Sequence, residues 1–180
     1  MIMAEITSSI SGNLQFFYSE GREIARWTYS DNGAIKKEGA PVNGCVKIKG
    51  PDGFLQSEMT YKNGSLNGIF RLYYASGSLE EEGMFKNDEL TGVYRQFYPD
   101  GRVKLEGSYK SGKKEGLFRL YYETGTVEEE EIYSSGNLEG EVREYNPAGN
   151  LITSAFYTKG KLKLIRQYDE SGKMTNETKY

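Results

Sequence analysis

Apolar and polar positions alternate in short runs along this chain, and each run is cut by a glycine-bearing turn signal. Residues 69–75 (IFRLYYA) and 102–110 (RVKLEGSYK) are typical, rich in Tyr, Phe, Leu and Val. Ser76-Gly77, Asp100-Gly101 and Thr124-Gly125 bound such runs. A period of two between turn signals predicts β-strands joined by tight hairpins. Asp-Gly favours a two-residue primed turn, which needs positive φ. The connections at 63–68 and 111–116 are longer and also end in Gly. No segment combines a helical period with capping residues.

The pattern repeats every 24 residues. Gly53, Gly77, Gly101, Gly125 and Gly149 keep this step, as do Gly68, Gly92, Gly116 and Gly140. Aromatic residues keep it at Tyr61, Phe85, Tyr109, Tyr133 and Tyr157. Charged rows follow: Arg71, Arg95, Arg119 and Arg143, and Glu58, Glu82, Glu106 and Glu130. After Tyr157 the step falls once to 23, and Arg166, Gly172, Met174, Glu177 and Tyr180 continue the rows. Such self-similarity marks a repeat architecture. It divides one repeat domain, 1–180, into divergent repeats at 1–52, regular ones at 53–157 and a partial one at 158–180. In the first stretch Gly21, Gly33, Gly44 and Gly53 step near the half-unit.

A register follows if the last two residues of each turn signal form the turn. Arg71 then faces Glu82, Arg95 faces Glu106 and Arg119 faces Glu130. Tyr74, Tyr98 and Tyr122 face Leu79, Val103 and Val127. Opposite-charge and aromatic–aliphatic cross-strand pairs each contribute roughly 0.2–1 kcal/mol. Alternation puts Phe70, Leu72, Tyr74 and Leu79 on one face, the core candidate, and Arg71, Tyr73 and Glu82 on the other. The fold class is all-β: a single elongated, twisted antiparallel meander of hairpins. About 15 strands spaced about 4.8 Å apart would span on the order of 70 Å.

Composition sharpens this. Only 37% of the residues are hydrophobic, but 15 Tyr and 8 Phe supply large buried area per residue. With 22 Gly and 4 Pro, the composition fits many turns rather than disorder. The net charge of -3 argues against nucleic acid as a partner. Residues 77–131 are acidic and 157–180 basic, so a weak attraction to anionic lipid stays open for the basic end. No basic-then-apolar leader is visible in residues 1–11, which points to a cytoplasmic chain, or to a secreted or periplasmic one if a signal peptide has been removed.

Chemistry is sparse. There is no His, so the usual general base and most zinc sites are missing. Cys45 in a strand-like stretch reads as a buried, inert thiol. Glu80–Glu82 and Glu128–Glu131 read as a solvated face paired with arginines, and Asp31, Asp52, Asp100 and Asp169 as turn residues. No catalytic, cofactor or metal residues are expected. The candidate binding surface is the aromatic row Tyr73, Phe97, Tyr121 and Tyr145 with Arg71, Arg95, Arg119 and Arg143. An unpaired C-terminal edge strand is a further candidate, for pairing with a second copy or a partner.

Tyr-x-x-Gly at 74–77, 98–101 and 122–125, and Tyr-x-x-Gly-x-x-x-Gly at 61–68, 109–116 and 133–140, resemble the bacterial variant of the MORN repeat. The same variant is catalogued as a YwqK-like antitoxin repeat protein. The resemblance implies single-sheet hairpin arrays that act as scaffolds or binding surfaces without catalytic residues. It also implies an antitoxin-like protein that binds a toxin. A glycan or acidic phospholipid held on the aromatic or basic strip is the alternative. The pattern departs at Lys163–Leu164, where the second Gly of the unit is missing, and near Gly44.

Overall fold

A computed structural model describes residues 6–11, 14–20, 22–30, 34–50 and 52–180. Gly21, Asp31 and Gly33 lie outside the described residues. The chain forms two compact units, Met1–Glu89 and Leu90–Tyr180. Among the described residues there is no helix, and the fold is an all-β meander of hairpins.

The first unit holds β1 (Ile6–Ser11), β2 (Leu14–Ser19), β3 (Arg22–Tyr29), β4 (Ile35–Gly39), β5 (Gly44–Lys49), β6 (Leu55–Lys62), β7 (Ser65–Tyr73) and β8 (Leu79–Lys86). Consecutive strands pair antiparallel within β1–β4 and within β5–β8. The join between these groups departs from a pure meander: β1 lies parallel to β5. The sheet also rolls. In a flat sheet, β3 and β6 would lie about 19 Å apart at about 4.8 Å per strand. Yet the Trp27 and Tyr61 rings are 5.3 Å apart, and Phe17 is 4.5 Å from Trp27. The roll encloses Phe17, Ala25, Trp27, Val42, Val46 and Tyr61. Lys37 stacks on the Trp27 ring and donates to the Gly64 carbonyl, which holds the roll shut.

The second unit opens with β9 (Glu89–Phe97) and continues through β10 (Val103–Lys110), β11 (Lys113–Lys114), β12 (Gly116–Tyr121), β13 (Val127–Ser134), β14 (Asn137–Leu138), β15 (Gly140–Tyr145), β16 (Leu151–Thr158), β17 (Lys161–Tyr168) and β18 (Met174–Lys179). From β9 on the pairing is antiparallel throughout: β9 with β10, β10 with β11 and β12, β12 with β13, β13 with β14 and β15, and then β15, β16, β17 and β18 in turn. β11 and β14 are the starts of β12 and β15, split off by a glycine bulge at Gly116 and Gly140, whose φ values are 80° and 94°. In β17 the corresponding Gly is missing, and a smaller irregularity between Phe156 and Tyr157 takes its place. That accounts for the single step of 23.

The two turn types are interchanged relative to the sequence reading. At Ser76-Gly77, Asp100-Gly101 and Thr124-Gly125 only the glycine has positive φ. Gly77 N–H donates to the Tyr74 carbonyl and Tyr74 N–H to the Ser78 carbonyl, which makes a three-residue loop ending in a left-handed Gly. The two-residue primed turns sit in the other half of each unit, where both central residues are left-handed: Asn63-Gly64, Ser111-Gly112, Ser135-Gly136 and Lys159-Gly160.

The extra loop residue shifts the register by one, and a bulge at Glu80 shifts it back. Arg71–Glu82, Arg95–Glu106 and Arg119–Glu130 are therefore paired as expected. Leu79, Val103 and Val127 face Tyr73, Phe97 and Tyr121 instead of the tyrosines one position later. Leu79 thus belongs to the arginine face, not to the face of Phe70. Tyr98 and Tyr122 turn their hydroxyls onto the carbonyls of Tyr121 and Tyr145 in the next hairpin.

Burial follows the Phe70 face. In the second unit Tyr94, Tyr109, Phe118 and Tyr133 form an edge-to-face series with ring spacings of 5.3–5.6 Å. Phe118 is 1% exposed. Its ring lies over Gly107, where a Cβ would come within 2.4 Å of it. Cys45 corrects the sequence reading: it is exposed, because alternation on β5 turns its neighbour Val46 into the core.

Candidate functional site

The candidate arginines and aromatics share the opposite face, arranged in rows that run across the strands. In the first unit Arg71 lies between Glu58 and Glu82, at 3.5 and 3.8 Å. Tyr73 donates its hydroxyl to Glu58 at 2.9 Å. In the second unit the charges form a longer ladder. Arg95 meets Glu106 at 3.9 Å, Arg119 meets Glu106 and Glu130 at 3.9 and 3.0 Å, and Arg143 meets Glu130 at 3.8 Å. Tyr121 donates to Glu106 and Tyr145 to Glu130. The ladder breaks at Ser154, which is buried and shares a hydrogen bond with Tyr168. Arg143 turns to Glu141 at 2.6 Å instead.

Protonation reflects this. The Arg119 guanidinium holds the Glu130 carboxyl below its ordinary value, and Glu130 in turn raises Arg119. Burial, followed by the glutamate partner, raises the Tyr73, Tyr121 and Tyr145 hydroxyls. These side chains hold ordinary charges at neutral pH, and their polar atoms are used within the sheet. Among the described residues, no three His, Cys, Asp or Glu side chains are grouped so as to hold a metal ion. Asp52, Asp100 and Asp169 accept from backbone N–H groups two residues on, as turn residues.

Two further rows flank the ladder in the second unit. On one side, cross-strand pairs set Phe97 on Val103, Tyr121 on Val127 and Tyr145 on Leu151. On the other side, alternation from the ladder residues puts Val93, Ser108, Leu117, Ile132, Glu141 and Phe156 in one row. Val93 pairs with Ser108, Leu117 with Ile132 and Glu141 with Phe156. A shallow groove of about 210 Å³ runs past Val93, Ser108 and Leu117 beside Arg95 and Arg119. In the first unit, Ile69 pairs with Met84 in the corresponding positions, and both are exposed. The sequence reading missed this apolar row. Its signal was present: Ile69, Val93 and Leu117 each stand two residues before an arginine of the repeat.

Fold and face together define a β-hairpin repeat protein whose regular surface is held by its own cross-strand pairs. The MORN repeat variant matches residues 66–87, 90–111, 114–135 and 138–159, four tandem copies, and the chain belongs to that family. No curated protein sequence matches the chain significantly. Among solved structures it is similar to selenomethionine-substituted virginiamycin B lyase from Staphylococcus aureus, at 12% identity over 98% of this chain and 70% of that one, with a TM-score of 0.22. A likeness that low carries no argument about fold or activity.

Proposed function

We propose that this chain is a non-enzymatic protein-binding module that works through the ladder face. The observation that carries this reading is the exposed apolar row beside charges already paired within the sheet. Covering such a face removes apolar area from water without leaving a charge unpartnered, the costly event in burying ions. The aromatic row adds rigid contact area of the kind enriched at interfaces. Lipid or glycan binding is less favoured, because the arginines of this face are already engaged by glutamates. The narrower, antitoxin-like role rests on the family resemblance alone.

The test is capture from the native host. The full chain and a Val93→Lys/Phe156→Lys variant are immobilised, and bound proteins are identified by mass spectrometry. A stoichiometric protein retained by the first and lost from the second is the expected result. Equal retention on both removes the ladder face from the proposal. For the antitoxin-like role, co-expression of the captured partner with and without this chain should show growth arrest relieved by the chain.

A further inference from the structure

We infer that the ladder face of the Leu90–Tyr180 unit is self-complementary, and that the partner it fits is a second copy of this chain. The inference rests on the reading of this face as a protein-binding surface and gives that surface an occupant. An isologous contact requires that residue i meet residue j while j meets i. Place a two-fold axis parallel to the strands, midway between β12 and β13, with the two faces opposed. The operation exchanges β12 with β13, β10 with β15 and β9 with β16.

In the apolar row it sets Leu117 on Ile132 of the second copy, Val93 on Phe156, and Ser108 on Glu141. In the ladder it sets Arg119 on Glu130, Glu106 on Arg143, and Arg95 on Ser154. The aromatic row gives Tyr121 on Val127, Val103 on Tyr145, and Phe97 on Leu151. Each apolar residue meets an apolar residue, and each charge but Arg95 meets its opposite or a hydroxyl; Arg95 lies over the buried Ser154, beside Tyr168.

An axis between β10 and β12 gives pairs of the same kinds but over only four strands of this unit, and two further placements fail. An axis running across the strands puts every arginine on an arginine. Moving the axis to lie between β13 and β15 puts Ile132 on Glu141. The axis along the strands also keeps the two sheets aligned, which is the ordinary way sheets stack. The apolar residues of this row are open to solvent: Val93 is 55% exposed, Leu117 39%, Ile132 41% and Phe156 45%. Six strands about 4.8 Å apart and about five residues deep give a face on the order of 500 Å² per copy. That is below the roughly 800 Å² per partner of a standard interface, so the dimer belongs to the small, reversible class.

Sedimentation equilibrium on the full chain, in a concentration series reaching the millimolar range, is expected to show a monomer–dimer equilibrium. Leu117→Lys, at an exposed position on the two-fold, should weaken it by about tenfold or more while leaving the circular dichroism unchanged. Contact geometry is read separately in a Cys45→Ser background with a thiol cross-linker about 10 Å long, the spacing of stacked sheets. A mixture of V93C and F156C chains should give covalent dimers. V93C alone should not, since its two copies would lie about 24 Å apart across five strand spacings. A strict monomer at every concentration overturns the inference. So does a dimer indifferent to Leu117→Lys, or one that cross-links V93C to itself as readily as to F156C. A monomer that still captures another protein through this face overturns the self-pairing and leaves the binding reading standing; a monomer that captures nothing removes both.

Discussion

At the residue scale, two neighbours on β13 respond to pH in opposite directions. Glu130 lies on the ladder face, where Arg119 keeps its carboxyl ionised below the ordinary range. A lowered folded value gives stability that is present above the unfolded value and is lost as pH falls through the folded one. Glu129 points to the other face, paired directly with Glu144. Burial raises its carboxyl first, and then Glu131 and Glu144. Its contribution is complete below the ordinary carboxylate range and is lost as pH rises through the folded value. Glu129→Gln should therefore raise the midpoint of thermal unfolding at pH 7, and Glu130→Gln should lower it. Both differences should vanish in acid, as melting curves between pH 3 and pH 8 would show. Gly107 gives a steric counterpart. Gly107→Val drives a side chain into the Phe118 ring and should cost about 1–3 kcal/mol in denaturant titration. The arginine–glutamate pairs were legible in the sequence because both members recur at one step. The seat at Gly107 was not, since only the pose of the Phe118 ring on the directly paired strand gives that glycine its purpose.

At the element scale, the hairpins are tied to one another by bonds that repeat with the unit. The N–H of the second turn residue donates to a carbonyl of the preceding hairpin, as Gly112 does to Leu90, Gly136 to Lys114 and Gly160 to Leu138. Beside them, Glu115 accepts from the Ser135 N–H and Glu139 from the Lys159 N–H, each at 2.7 Å. Ser135 and Lys159 are left-handed residues with φ near 50°, and the carboxylate helps fix the turn that needs this conformation. Glu139→Ala should cost about 1 kcal/mol and speed amide exchange at Lys159 and Gly160. Undiminished protection there would remove the carboxylate from that role. Strand positions were legible because alternation and turn residues agree. Turn types were not: glycine in the second turn position suits both a primed pair and a three-residue loop, and only the backbone bonding separates them. The bulge at Glu80 hid the difference by restoring the arginine–glutamate register.

At the scale of the whole molecule, the two units draw on different sources of stability. The first rolls its sheet around a buried cluster, with the molecule's one tryptophan inside it. Trp27→Ala should cost that unit about 3–5 kcal/mol, and native Trp27 emission should shift to the red when that unit unfolds. The sequence showed residues 1–52 as irregular. It could not show the parallel contact of β1 with β5, which depends on how far the sheet curls. The second unit has no such enclosed cluster and relies on rings laid along one face of the meander.

The unit-to-unit bonds carry a consequence for the gene. Each joins one position of the repeat to another position in the repeat before it, at an offset that recurs, so a segment of 24 codons can be duplicated or lost and every bond re-forms between equivalent partners. The ladder and the apolar row would lengthen or shorten in phase, without a new loop or a new core. A change of another length needs a bulge to absorb it, as the step of 23 does between Phe156 and Tyr157, where Arg166 still meets Glu177. This chain can therefore evolve the reach of its surface by recombination alone, in whole steps, before any single residue is altered.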